Sequence, residues 1–214
     1  MKKRDIKNKN ILVTGGAGKI GSKLCEALLD LEANVICFDN FFSGKMDAIN
    51  NLLAHPNFVV RGGDIRNIKD CKKAINKVDY VFHLAGVDYN SIAVTDVTTI
   101  NEVNVVGFLN MLTASREANV KGMMYPTSCS QSFNEIELPK NEESIKGKSL
   151  SPYEISNYTN KLYASLFLNK YGFQIKGVEC TPIFGKYKTT DISNIIQLNI
   201  DALEGMIKEE YILA

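Results

Sequence analysis

Histidine is scarce in this chain. Of 214 residues, only His55 and His83 carry an imidazole. Two isolated histidines give no ligand set for a metal centre, and His83, at the end of an apolar run, reads as a packed core residue. Cysteine is hardly better represented. The five present (Cys25, Cys37, Cys71, Cys129 and Cys180) are an odd number, widely spread, with no Cys-x-x-Cys pair. That argues against a disulfide framework or a zinc site and suits a reducing cytoplasm. An excess of one charge is also missing. The 25 Lys and Arg stand against 24 Asp and Glu, a net charge of +1, so nothing general attracts nucleic acid or a membrane surface. No apolar run approaches the roughly 18 residues of a membrane span. The basic cluster at Met1-Lys-Lys-Arg4 is followed by a strand pattern rather than a signal-peptide core, and reads as a solvated tail. There is no internal repeat and no low-complexity linker. A hydrophobic content of 45% and a charged content of 23% describe an ordinary globular chain with enough length for one full core.

What the chain does have is a glycine cluster at the end of its first apolar run, Ile11-Leu-Val-Thr-Gly-Gly-Ala-Gly-Lys-Ile-Gly-Ser-Lys-Leu24. Gly15, Gly18 and Gly21 stand three residues apart where a strand pattern turns helical. Gly15 can take a positive φ, Gly18 lets backbone approach a pyrophosphate, and Gly21 lets the helix pack close to the strand. The N–H groups of the first turn, around Lys19 and Ile20, would meet the phosphates. A second strand, Asn34-Val-Ile-Cys-Phe-Asp39, ends in an acid eighteen residues past Gly21. A carboxylate there accepts hydrogen bonds from an adenosine ribose and favours NAD over NADP.

Strand patterns at about 10–14, 34–39, 57–61, 79–84, 122–127 and 173–181 alternate with helical ones. The helical patterns fall at about 19–32, 45–54, 67–76, 99–118 and 153–171. The alternation predicts an α/β fold with a doubly wound parallel sheet covered on both faces. The polar segment from Cys129 to Leu150 reads as a long loop over the carboxyl edge, where such folds bind ligands. From Asp191 a helix is expected, then the start of a strand at Tyr211-Ile-Leu213.

Several strings together resemble the extended short-chain dehydrogenase/reductase family, in particular its NAD-dependent nucleotide-sugar epimerases and dehydratases. They are Val13-Thr-Gly-Gly-Ala-Gly-Lys-Ile-Gly-Ser22, Phe38-Asp-Asn40 with Ser43-Gly44, Gly63-Asp-Ile65 and Val81-Phe-His-Leu-Ala85. Asn101-Glu-Val-Asn-Val-Val-Gly-Phe-Leu-Asn110, Ser151-Pro-Tyr153 and Phe184-Gly185 follow in the same order. The resemblance implies a Rossmann domain over 1–190 and, from 191 to 214, the start of a substrate-binding region whose remainder is largely absent. It implies that Gly15, Gly18, Lys19, Ile20 and Gly21 hold the pyrophosphate, with Asp39 and Asn40 at the adenosine ribose. Asp64 and Ile65 would flank the adenine, although Asp64 also reads as a helix N-cap ahead of Asn67. Leu84, Ala85 and Gly86 would pass the nicotinamide ribose. Asn104 reads equally as a buried amide fixing the long helix or as part of the site.

The catalytic positions depart from the family's Tyr-x-x-x-Lys. Tyr153 matches the tyrosine that takes a proton from the sugar hydroxyl, but Asn157 occupies the lysine position. Asparagine can still hydrogen-bond a ribose hydroxyl; it supplies no charge to promote loss of the tyrosine proton. Lys161, one turn further on the same face, either replaces part of that charge or is a surface lysine. Ser128 best matches the family's hydroxyl partner, with Thr127 and Ser130 beside it. Pro182 stands where the family has an asparagine that helps hold the substrate diphosphate. The resemblance therefore implies a cytoplasmic UDP-hexose 4-epimerase-like chain with NAD as cofactor and a UDP-sugar as substrate. The alternatives are a non-catalytic NAD-binding sensor or partner subunit, and a truncated product of a longer enzyme. The helical patterns at 99–118 and 153–171 resemble those that pair in the family's homodimer; otherwise they only cover the sheet.

Overall fold

The computed structural model describes residues 6–87, 96–128, 151–180 and 189–213. Six strands form one sheet in the order β3-β2-β1-β4-β5-β6, every neighbouring pair parallel. They are β1 (Asn10–Thr14), β2 (Asn34–Asp39), β3 (Phe58–Gly62), β4 (Tyr80–His83), β5 (Gly122–Ser128) and β6 (Ile175–Cys180). The winding direction reverses between β1 and β4, and Thr14 aligns with Phe38 on one side and His83 on the other. Ligands of such sheets bind in the crevice at this reversal, beyond the carboxyl ends of the strands.

Alternation along each strand divides the core. Ile11 and Val13 face α1 (Lys19–Asp30), while Leu12 faces α2 (Ile68–Ala74) and the helices beyond it. Leu24, Cys25 and Leu28 of α1 share the first face with Leu203, Met206 and Ile207 of the last helix. On the second face Phe108, Met111 and Leu112 pack with Phe38, Val81, Tyr125 and Phe167. Each of these fully buried side chains contributes about 1.5–3 kcal/mol relative to exposure. The doubly wound parallel sheet expected from the alternating pattern is therefore present.

Three expectations need correction. Residues 45–54 are not an α-helix but two 3-10 turns, Met46–Ala48 and Asn50–Leu52. Buried Ile49, between the two turns, and Leu52, in the second, stand three apart, the period of a 3-10 turn. The helix expected at 99–118 starts earlier and has three parts: α3 (Val97–Asn101), a π-helical turn (Glu102–Val106) and α4 (Gly107–Glu117). The strand expected at Tyr211-Ile-Leu213 lies inside a final helix, α6 (Thr189–Leu213). Buried Ile195, Asn199, Leu203 and Met206 recur every three or four residues, the period of a helix already established before Tyr211. Among the described residues no helix is long and apolar enough to cross a membrane.

The remaining helix, α5 (Pro152–Tyr171), has its start fixed by a capping box. The Ser151 hydroxyl accepts the Glu154 N–H at 3.2 Å, and the Glu154 carboxylate accepts the Ser151 N–H at 2.8 Å. With Pro152 opening the helix and Gly172 closing it at φ +65°, Tyr153 is held in the first turn.

Candidate functional site

The glycine loop is built by close approach. Gly15 has φ +66°, and its N–H donates to the Phe38 carbonyl at 2.9 Å. A Cβ on Gly15 would lie 2.9 Å from the Ala85 nitrogen, so this turn lies directly against the end of β4. A Cβ on Gly21 would fall 2.1 Å from the Gly15 carbonyl oxygen. Only a helix without a side chain at that position can cross the loop so tightly. Gly18 caps α1 with no side chain, and the first turn of α1 contains no acid. The result is a helix N-terminus at the sheet reversal, opened by Lys19 and Ile20 and without a side-chain cap, a geometry that suits an anion.

Asp39, at the end of β2, is buried and ties the loops together. Its Oδ2 accepts the Ala17 N–H at 2.9 Å and its Oδ1 the Phe41 N–H at 2.8 Å. Each oxygen keeps one acceptor position, enough for the two hydroxyls of a ribose. Asn40 turns the other way: its Nδ2 donates to Asp64 at 3.0 Å and its Oδ1 accepts the Phe42 N–H. Asp64 does not cap α2; Asn67 does, accepting the Lys69 N–H at 3.0 Å. Asp64 instead grips Arg66, whose hydrogen bonds hold its carboxyl down at about 2. Ile65 is buried against Gly107, and its carbonyl accepts from Asn110 Nδ2 at 2.9 Å.

On the other side of the reversal, the Thr14 hydroxyl accepts the Ala85 N–H at 3.1 Å. It also meets His83 Nδ1 at 3.1 Å. His83 is the core residue the sequence suggests, edge-on to Phe108, with burial pushing its pKa down to about 4. Leu84 donates its N–H to the Thr14 carbonyl. Asn104 sits in the π-turn and holds the next stretch at two points. Its Oδ1 accepts the Val87 N–H and its Nδ2 donates to the Val87 carbonyl, both at 2.8 Å. Gly86 leaves room for this clamp, since a Cβ there would stand 3.3 Å from Asn104 Oδ1. The same amide donates to Ser156 Oγ at 3.2 Å, Ser156 donates to the Tyr153 carbonyl at 2.7 Å, and Asn160 donates to the Asn104 carbonyl at 2.9 Å. The segment after β4 and the helix of Tyr153 are thereby joined through buried amides.

Tyr153 and Asn157 are half-buried on α5 and Lys161 is exposed. Ser128 ends β5, paired with Cys180, and Thr127 precedes it with its methyl over Gly177. The side chain of Ser128, together with Ser130, Pro182, Phe184-Gly185 and the loop from Cys129 to Leu150, lies outside the described residues. The sequence reading missed Thr14, Arg66, Asn110, Ser156 and Asn160. For Thr14 the signal was a lone hydroxyl ending an apolar strand. For Ser156 and Asn160 it was a polar pair spaced like one face of a helix.

Three known proteins are similar to this chain, two of them solved structures. The UDP-N-acetylglucosamine 4-epimerase of Methanobrevibacter ruminantium, solved with UDP-N-acetylmuramic acid, is 31% identical with a TM-score of 0.67, covering 81% of this chain and 55% of its own. The UDP-glucose 4-epimerase of Thermus thermophilus, solved with NAD, is 28% identical with a TM-score of 0.65, covering 79% and 54%. The CDP-paratose 2-epimerase of Salmonella typhi is 34% identical over 136 residues, 62% of this chain and 40% of its own. The chain thus spans about half the length, or less, of these relatives. The model of the NAD dependent epimerase/dehydratase family matches residues 11–213. With its glycine loop, its acid ending β2 and its Tyr153 helix in place, the chain belongs to that NAD-dependent epimerase/dehydratase family.

Proposed function

We propose that this chain binds NAD and acts on a nucleotide sugar as an epimerase of the UDP-hexose 4-epimerase type. The observation that carries the reading is the N-terminus of α1 at the sheet reversal, capped by Gly18 with no side chain, with Asp39 buried. These groups fit the cofactor chemically: a helix N-terminus with no side-chain cap for a pyrophosphate, and a carboxylate with acceptor capacity for ribose hydroxyls. Gly15, Gly18, Lys19, Ile20 and Gly21 would hold the pyrophosphate, and Asp39 the adenosine ribose. Leu84, Ala85 and Gly86, fixed through Thr14 and Asn104, would border the nicotinamide ribose, to which Asn157 can donate. NAD, when bound, supplies hydride exchange at the sugar carbon. Tyr153 would remove the proton from the sugar hydroxyl and return it, with Ser128 hydrogen-bonded to the same oxygen.

Asn157 favours a second reading, a non-catalytic NAD-binding protein. The position one turn after Tyr153 has no charge with which to stabilise a phenolate, and Lys161 is exposed on α5. Interconversion of UDP-glucose and UDP-galactose, followed by NMR for wild type and Asn157→Lys, separates the two. On the epimerase reading the wild type turns over, and Asn157→Lys is faster by about tenfold or more, within the usual range of a positioned base. No turnover by either protein, with NAD bound, supports the second reading.

A homodimer is part of the proposal. Ile155, Leu162 and Leu166 are exposed along one stripe of α5, and Val106 is exposed on the neighbouring π-turn. Such a stripe suits a second copy of the same surface. A cytoplasmic setting is proposed from the free, buried thiols of Cys25, Cys37 and Cys71.

A further inference from the structure

Packing alone does not call for a histidine at position 83. The ring is 4% exposed and edge-on to Phe108, with centroids 5.5 Å apart. A phenylalanine would fill that place without burying a polar nitrogen. The nitrogen has a partner, however. β1 and β4 pair in register at Thr14 and His83, so the two side chains leave the sheet on the same face. Thr14 Oγ1 and His83 Nδ1 stand 3.1 Å apart.

The direction of that bond follows from what the threonine already does. Thr14 is fully buried, and its oxygen accepts the Ala85 N–H at 3.1 Å. Its own hydrogen needs an acceptor where water does not reach, and Nδ1 is the one within reach. Nδ1 accepts only in a neutral ring that carries its proton on Nε2. Burial keeps the ring neutral by pushing its pKa down to about 4.

A hydroxyl turns freely about its C–O bond unless something holds its hydrogen. Donation to Nδ1 stops that rotation and aims a lone pair of Thr14 at Ala85. The Ala85 nitrogen lies 2.9 Å from where a Cβ on Gly15 would stand, so this N–H is at the contact between β4 and the glycine loop. Val87, two residues further on, is held separately by Asn104.

We propose that His83 is a positioning residue for the cofactor: acting through the Thr14 hydroxyl, it fixes the Ala85 backbone against the glycine loop, where the nicotinamide ribose would lie. The inference rests on the NAD-binding reading above. His83 itself touches neither cofactor nor substrate.

The test is titration of the cofactor-stripped full chain with NAD, in a double-mutant cycle of His83→Phe and Thr14→Val. His83→Phe keeps a ring beside Phe108 and removes Nδ1; Thr14→Val keeps the shape and removes the hydroxyl. His83→Phe should weaken NAD binding by about threefold to tenfold, the worth of one ordinary hydrogen bond. Thr14→Val should weaken it by about tenfold or more, because the buried Ala85 N–H loses its acceptor. The double variant should match Thr14→Val within about twofold, since His83 then has no hydroxyl to hold. Nitrogen NMR of histidine-labelled wild type should find the His83 proton on Nε2, a reading that needs no variant to fold. NAD affinity unchanged in His83→Phe, losses that multiply in the double variant, or a proton on Nδ1 would each overturn the proposal. Failure of wild type to bind NAD is a different result: it overturns the cofactor reading, and this inference with it.

Discussion

The carbonyl oxygen of Gly15 occupies the space where a side chain on Gly21 would begin, 2.1 Å from the position of its Cβ. Loop and helix therefore cross at backbone contact, and the first turn of α1 is aimed by that crossing. Gly21→Ala must push the two apart. We expect a loss of about 1–3 kcal/mol of stability, as for overpacked cores, together with weakened NAD binding. Gly62→Ala is the control, because a Cβ there meets nothing within 4 Å. Thermal melts and titration calorimetry on the two variants check both effects.

His83 gives the chain an acid-sensitive core. Its folded-state pKa of about 4 lies below the ordinary 6.5 because the ring is buried. The unfolded chain therefore binds the proton first, and folding stability falls as pH drops through that interval. The slope reaches about 1.4 kcal/mol per pH unit where only the unfolded form is protonated. Asp64, held at about 2 against an ordinary 3.8, adds its own loss only below this window. Denaturant unfolding at several pH values should show the slope between about 6.5 and 4, and His83→Gln should flatten it.

Asn104 is expected to act as a clamp on the segment after β4. Asn104→Ala leaves the Val87 N–H and carbonyl without the partners they have at 2.8 Å. The cost should be about 1–3 kcal/mol. The distinguishing readout is hydrogen exchange: the Val87 amide should lose protection more than the amides of β5 on the same sheet.

The exposed stripe on α5 makes a prediction about assembly. Leu162 is 55% exposed, so Leu162→Arg should leave the fold and its melting temperature nearly unchanged. If two copies meet there, sedimentation of the variant should show a monomer at concentrations where wild type is a dimer. Identical sedimentation of the two proteins would place any dimer elsewhere.

The sheet and the glycine loop were legible because they are written locally. Glycines at fixed offsets and apolar runs ending in Thr14, Asp39 and His83 encode strand ends and turns without reference to distant residues. The partnerships were not legible. That Asp64 holds Arg66 rather than capping α2 depends on which of two nearby side chains, Asp64 or Asn67, reaches the helix N-terminus first. That Asn104 clamps Val87 depends on a π-turn, an extra residue in a helical turn that periodicity alone does not reveal. The strand expected at Tyr211-Ile-Leu213 failed because that short apolar stretch was read alone, apart from the helical period that α6 had already established.

The most direct measurement of the central claim is NAD binding by the purified, cofactor-stripped chain, followed by calorimetry beside Gly21→Ala. We expect one NAD per chain for wild type and at least a tenfold weaker affinity, about 1.4 kcal/mol, for the variant. No heat of binding from wild type, with the fold intact by circular dichroism, would contradict the assignment of the loop at Gly15, Gly18 and Gly21 as a cofactor cradle.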